Sequence, residues 1–185
     1  MMSEFIDDAQ FMSLFEEFEH TAWRWETRQG YDSDRQTEAY QRFLQGEDPD
    51  ASAYRPWCMD VRRQTAQGKR IGRVRLVDAP PTPEQGYLLV TGWTNIEAGE
   101  DIRSLLRSDA AKLDLPMADF WLFDARTVLQ LHFDDQDRYL GSEVVRTPGE
   151  VLRACQVRDT AWHHAVRCLE FGLRAPTIDR VPTGR

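Results

Sequence analysis

No stretch of the sequence approaches the roughly 18 consecutive apolar residues of a membrane-spanning helix, so no membrane attachment is expected. The opening run Met1-Met2-Ser3-Glu4-Phe5-Ile6-Asp7-Asp8 is acidic where a secretory signal is basic and then apolar, which predicts a cytoplasmic protein. Cysteine is scarce. Cys58, Cys155 and Cys168 are odd in number and widely spaced, a pattern that predicts reduced thiols and no disulfide framework. Positive charge is in deficit as well: 23 basic against 31 acidic side chains leave a net charge of −8. That disfavours a protein whose affinity rests on neutralised phosphates, and no direct sequence-specific nucleic-acid binding is expected. There is no P-loop, no G-x-S-x-G, no C-x-x-C and no H-E-x-x-H, so the familiar catalytic classes lose weight.

What is present suffices for one folded domain. In 185 residues, 41% are hydrophobic and 11% aromatic, more than a self-solvating chain carries. Phe11, Leu14, Phe15 and Phe18 recur at helical spacing over residues 8–19, with Asp7 or Asp8 as cap; these rings are expected to cover the core. Residues 21–28 alternate, placing Trp23 and Trp25 on one side of a strand and Arg24, Glu26 and Arg28 on the other. Helices are predicted near 33–44 and 56–67, and residues 70–77 alternate again as a strand with Arg73 and Arg75 on one face. For residues 82–97 helix is favoured over strand, because Thr82-Pro83-Glu84-Gln85 supplies a cap, a proline at the first helical position and a capping-box glutamine. Residues 102–106 read as a short strand or link, followed by a short helix near Ser108.

From Asp119 the pattern becomes a meander: 120–123, 127–134 and 139–145 are strands, the first two joined by Asp124-Ala125-Arg126. A last helix opens at Thr147-Pro148-Gly149-Glu150 and carries Val151, Cys155, Trp162, Val166 and Leu169 on one stripe. The expected fold is α+β, a mostly antiparallel sheet of about five strands with helices packed on it. A single domain is expected over residues 1–173, with residues 174–185 as a flexible tail.

His132 with Asp134, the adjacent pair His163-His164, and the turn Asp134-Asp135-Gln136-Asp137 fall short of a ligand set, so neither metal nor cofactor is expected. Charge on strands is more informative. Arg62, Arg63, Lys69, Arg70, Arg73 and Arg75 lie within fourteen positions of an otherwise acidic chain. If strands 21–28 and 70–77 are neighbours, Arg24, Arg28, Arg73 and Arg75 form an anion-binding face with Glu26 holding the guanidinium groups. The alternative is an exposed sheet face of cross-strand ion pairs. Trp121 would add an aromatic border, and Asp124 joins Glu26 as a candidate base.

The runs Phe11-x-x-Leu14-Phe15-x-x-Phe18, Ala22-Trp23-Arg24-x-Glu26-Thr27 with Tyr31, Arg73-x-Arg75-Leu76-Val77-Asp78, Ala98-Gly99-Glu100-Asp101-Ile102-Arg103 and Asp119-Phe120-Trp121-Leu122-Phe123-Asp124 resemble an uncharacterised actinobacterial family, a domain of unknown function found beside helix-turn-helix regulators. The resemblance spans residues 5–172. It implies no catalytic residue, and it implies a regulatory neighbourhood.

Two functions follow as expectations. The first is a non-catalytic regulatory or binding module, accessory to a transcriptional regulator, that recognises a protein partner (a helix-turn-helix regulator) or a small anionic ligand. The second is an enzyme acting on a phosphate- or carboxylate-bearing substrate, with Arg24, Arg73 and Arg75 clamping charge. A deep pocket holding a carboxylate of raised pKa favours the enzyme, and a flat arginine face favours a binding surface.

Overall fold

The computed structural model describes residues 5–49, 55–168 and 170–171. The expected tail at 174–185 and Leu169 of the last helix lie outside the described residues. Along the chain run α1 (Asp8–Glu17), β1 (Thr21–Glu26), α2 (Asp32–Arg35), α3 (Glu38–Leu44), α4 (Pro56–Ala66), β2 (Arg70–Val77), α5 (Pro83–Glu97), β3 (Asp101–Leu106), α6 (Arg107–Lys112), β4 (Phe120–Phe123), β5 (Thr127–Phe133), β6 (Tyr139–Val145), α7 (Pro148–His164) and β7 (Val166–Arg167).

The local signals read from the residues operate as expected at several ends. Asp7 caps α1 through a capping box with Gln10, and Thr82 caps α5 through one with Gln85, with Pro83 in the first turn. Residues 86–94 are therefore helical. The β4–β5 connection turns through Asp124 and Ala125, both at φ 52, and is closed by the Arg126 amide donating to the Phe123 carbonyl. Positive φ at both central residues matches the twist of the flanking strands.

The expected α+β class with a mostly antiparallel sheet holds, with four of six strand pairings antiparallel, but the expected count of about five strands is incorrect and the parallel pairs depart from expectation. The sheet is mixed and has seven strands in the order β6-β5-β4-β1-β2-β3-β7. Its middle is parallel: β1 pairs β2 and β2 pairs β3 in parallel, while the remaining neighbours are antiparallel. The reason is connectivity. Each parallel step is bridged by a helical crossover ending in α4 or α5, and successive right-handed crossovers in one direction leave both helices on the same face. The last helix also stops earlier than its apolar stripe suggested. Val166 leaves it at Ala165 to pair with Ser104 on the sheet edge.

Alternation along the strands divides the interior in two. Trp23, Trp25, Val74, Leu76, Phe120, Leu122 and Val128 face α6 and α7, making a dry core with Val151, Ala154, Val157 and Ala161. Ala22, Ile71, Trp121, Phe123 and Leu129 face the other way, toward α1 and α4 with Cys58 and Val61. On this second face the expected stripe closes the core only in part: Phe18, the C-cap of α1, is buried, but no residue within the helix is fully buried, and Phe11, Leu14 and Phe15 are only partly covered. Phe15 packs edge-on against Trp57, Trp121 and Phe123 and leaves open space beside it.

Gly72 marks how tightly the dry face is packed. A Cβ there would sit 2.9 Å from Trp162 Cη2 and 3.2 Å from the Asp101 carbonyl oxygen. These two faces predict unequal sensitivity to truncation: Trp25→Ala, at a side chain with no exposed surface, should cost about 3–5 kcal/mol in denaturant unfolding. Phe15→Ala should cost clearly less, since part of its ring already meets solvent.

Candidate functional site

The parallel register of β1 and β2 sets Arg24 opposite Arg73 and Glu26 opposite Arg75. Period-two alternation points all four to the α1/α4/α5 face, under the crossover helices rather than out to bulk water. They are buried: Arg24 and Arg73 are 9% exposed, Glu26 4% and Arg75 3%.

Glu26 is shared by three guanidinium groups. Its Oε2 accepts from Arg75 Nε at 2.8 Å, and its Oε1 lies 3.5 Å from Arg73 Nη1 and 3.9 Å from Arg24 Nε. The two outer arginines each have a second carboxylate. Arg73 Nε donates to Glu100 at 2.5 Å, and Arg24 Nη2 donates to Asp119 at 3.0 Å. Glu100 also accepts from Trp57 Nε1 and Asn95 Nδ2 at 3.0 Å each, while Asp119 accepts from the Tyr31 hydroxyl at 2.6 Å and from the Thr27 amide and hydroxyl. Every carboxylate here is therefore held by several donors, as buried charges must be. Trp121 lies beneath the Arg24 and Arg73 guanidinium groups at 5.7 and 5.8 Å, within cation–π range.

Above this floor is a cavity of about 650 Å³, inside the range of small-molecule sites. Its aromatic walls come from Phe11 and Phe15 of α1, Trp57 of α4, Tyr31 and Phe133, and its α5 side from Leu88, Thr91, Gly92 and Asn95. A Cβ at Gly92 would make only ordinary contacts, with Ile102 Cδ1 at 3.8 Å and Arg75 Nη1 at 3.9 Å. Arg55 enters from the segment before α4, where its Nη2 donates to Thr94 and Asn95, while its buried Nε has no partner among the described residues.

Electrostatics separates Glu26 and Asp34, the two carboxylates that line the cavity next to the arginines. Burial pushes the Glu26 carboxyl up, but Arg75, Arg73 and Arg24 outweigh it and bring the group down to about 2. A permanently ionised Glu26 is a poor base. Asp34 behaves oppositely: burial, then repulsion from Glu26, outweigh Arg75, Arg55 and Arg73 and raise it to about 6. Its side chain makes no hydrogen bond among the described residues. Tyr31 is pushed well above its ordinary value, first by burial and then by Glu26 and Asp119, so its hydroxyl stays protonated.

Of the residues expected at a site, Arg24, Glu26, Arg73, Arg75 and Trp121 converge at this cavity. Arg28 does not join them. It lies beyond the end of β1, where its Nε donates to Asp137 at 2.6 Å and its Nη2 to the Asp134 carbonyl. Asp124 is also elsewhere, at the β4–β5 turn, accepting from the Glu19, His20 and Thr21 amides at 2.8 Å each. Burial works against those amides, which nonetheless hold its carboxyl below the usual range; Asp124 ties the start of β1 to the hairpin and is no base. Tyr31, Asp34, Arg55, Trp57, Glu100 and Asp119 were not singled out from the residues for this site. Tyr31, Glu100 and Asp119 belong to the stretches that carry the family resemblance, and Asp34, Arg55 and Trp57 had no signal that set them at a site. Among the described residues no group of three or more His, Cys, Asp or Glu is arranged to hold a metal ion, and no helix is long and apolar enough to cross a membrane.

Residues 9–172 match the model of a domain of unknown function, DUF6879, and the chain belongs to that family. No curated protein matches it. Its fold is similar to that in the crystal structure of a phospholipase D family member, Nuc, from Salmonella typhimurium, with a TM-score of 0.51 and 8% identity over 86% of this chain and 88% of that one. At that identity the likeness is of fold alone.

Because Glu26 titrates far below its ordinary value of 4.5, the stability it contributes is fully present above pH 4.5 and is lost as pH falls toward 2. Glu26→Gln should be less stable than wild type by about 3–5 kcal/mol at neutral pH, from three buried arginines losing their shared partner. Urea unfolding of both proteins between pH 2 and 7 checks this, and the gap between them should narrow on the acid side.

Proposed function

We propose that the protein binds a small molecule carrying an anionic group, which the Arg24, Arg73 and Arg75 guanidiniums receive at the bottom of an aromatic-walled cavity. The observation that carries this reading is the set of three arginines held side by side by Glu26 beneath open volume. Guanidinium groups already oriented by carboxylates offer their remaining N–H donors without further loss of freedom, the condition for strong charge-assisted binding. Their depth favours a small ligand over a protein surface, since a partner's side chains would reach a floor exposed by less than a tenth only through the cavity mouth.

In this reading the protein is a non-catalytic module that senses the ligand, accessory to a transcriptional regulator. That role is the one expected from the sequence resemblance. A second reading is favoured by one specific observation, the Asp34 carboxyl raised to about 6 over the arginine floor. A group poised there suits proton transfer to or from an anionic substrate, and the protein would then be an enzyme on a phosphate- or carboxylate-bearing substrate.

Thermal unfolding in the presence of aryl carboxylates and aryl phosphates tests the first reading. Ligands of the cavity should raise Tm in a concentration-dependent manner, and Arg73→Lys should weaken that response while circular dichroism shows the fold retained, because an ammonium cannot reproduce a two-point guanidinium contact. A wild-type Tm unmoved by the whole panel at millimolar concentration contradicts it. Hydrolysis of p-nitrophenyl esters with a pH–rate limb near 6 that disappears in Asp34→Asn would establish the enzyme instead.

A further inference from the structure

If a ligand occupies the cavity as proposed above, the fixed charges around it limit the charge it can bring. Four cations meet there, Arg24, Arg55, Arg73 and Arg75, against the carboxylates Glu26, Glu100 and Asp119 that bond to them or face the cavity. Asp34 is the fourth carboxylate. With Asp34 ionised the cluster is neutral, and with Asp34 protonated it carries one net positive charge. Tyr31 remains a neutral hydroxyl. Glu16 of α1 and Arg63 of α4, which also line the cavity, are exposed and Asp60 of α4 is half-buried, the last two paired at 3.2 Å, and water screens them.

The hydrogen bonds of the floor leave donors over. Arg24 uses Nη2, Arg73 uses Nε and Nη1, and Arg75 uses Nε and Nη1. That leaves Arg24 Nε and Nη1, Arg73 Nη2 and Arg75 Nη2 without a hydrogen-bond acceptor among the described residues, on three side chains that all line the cavity.

We propose that the cavity is selective for an amphipathic monoanion: one carboxylate-type head group on the Arg24, Arg73 and Arg75 floor, and a flat apolar body among Phe11, Phe15, Trp57 and Trp121. A neutral ligand of the same shape would cover the spare guanidinium donors without accepting from them as an anion does. A dianion would leave a negative charge uncompensated in a partly desolvated site, even after Asp34 has taken a proton. The monoanion alone is matched one for one, and its arrival favours protonation of Asp34, which faces Glu26 of β1, Arg73 and Arg75 of β2 and Arg55 before α4. Head-group binding is thus coupled to uptake of one proton.

Isothermal titration with three naphthalene probes of one shape tests this: naphthalene-2-carboxylate, the neutral naphthalene-2-carboxamide, and 2-naphthyl phosphate, which is largely dianionic at pH 7.5. The carboxylate should bind about tenfold or more tightly than either of the others, a difference of about 1.4 kcal/mol. Its affinity should rise several-fold between pH 7.5 and 5.5, a range over which the probe stays ionised, and Asp34→Asn should bind it tightly at both pH values. Equal binding of the carboxamide, or tighter binding of the phosphate, overturns the charge selectivity while leaving a ligand cavity in place. Binding of none of the three overturns the ligand reading itself.

Discussion

One carboxylate among three guanidinium groups organises the site. Glu26 is buried, and an isolated carboxylate in that position would be driven to its neutral form; Arg24, Arg73 and Arg75 hold it ionised instead. The dependence is mutual, because the same three cations would be intolerable beneath α4 and α5 without it. Glu100 and Asp119 then anchor the outer two from opposite sides, and each is itself fixed by neutral donors such as Trp57, Asn95, Tyr31 and Thr27. Satisfied in this way, a buried charged cluster specifies one arrangement of its side chains.

The sheet supplies the geometry that makes this possible. Parallel pairing of β1 with β2 brings residues of like register together, so the alternating charges of two separate strands interdigitate. Two crossovers of one hand place α4 and α5 over the charged face, while α6 and α7 cover the apolar one. Apolar burial on the α7 side carries the fold. The opposite side, incompletely closed by α1, keeps a space in which charge and aromatic rings meet.

How much of this was legible in the sequence differs by element. Arg24, Glu26, Arg73 and Arg75 announced themselves by period-two alternation, and arginine in place of lysine was informative: only Lys69 and Lys112 break a set of 21 arginines among 23 basic residues. Guanidinium tolerates burial beside carboxylates better than ammonium does. That same alternation concealed the parallel sheet. Parallel strands covered on both faces usually read as continuous apolar runs, whereas β1 and β2 set charges at alternate positions, Arg24 and Glu26 on one and Arg73 and Arg75 on the other, the pattern of an antiparallel strand with one wet face. The two-residue β7 is too short for any periodic signal. Asp34 comes from the four-residue α2 and Arg55 and Glu100 from the flanks of α4 and β3, where nothing local distinguishes a residue aimed inward from a solvated one. Phe15 sat on a well-formed helical stripe, yet the stripe shows only which face points inward, not whether the space beneath it is filled.

The central claim is that three buried guanidinium groups form a preorganised floor with donors to spare. The ¹⁵Nε–H spectrum of arginine-labelled protein at pH 7.5, assigned by Arg24→Lys, Arg73→Lys and Arg75→Lys, tests it most directly. Arg73 and Arg75, whose Nε–H groups are bonded to Glu100 and Glu26, should give signals that exchange slowly with water. Those two signals and that of Arg24 should shift when naphthalene-2-carboxylate is added, while the signal of exposed Arg126 stays in place. Signals of Arg73 and Arg75 that exchange as fast as that of Arg126, or that are unmoved at saturating carboxylate, would contradict the account.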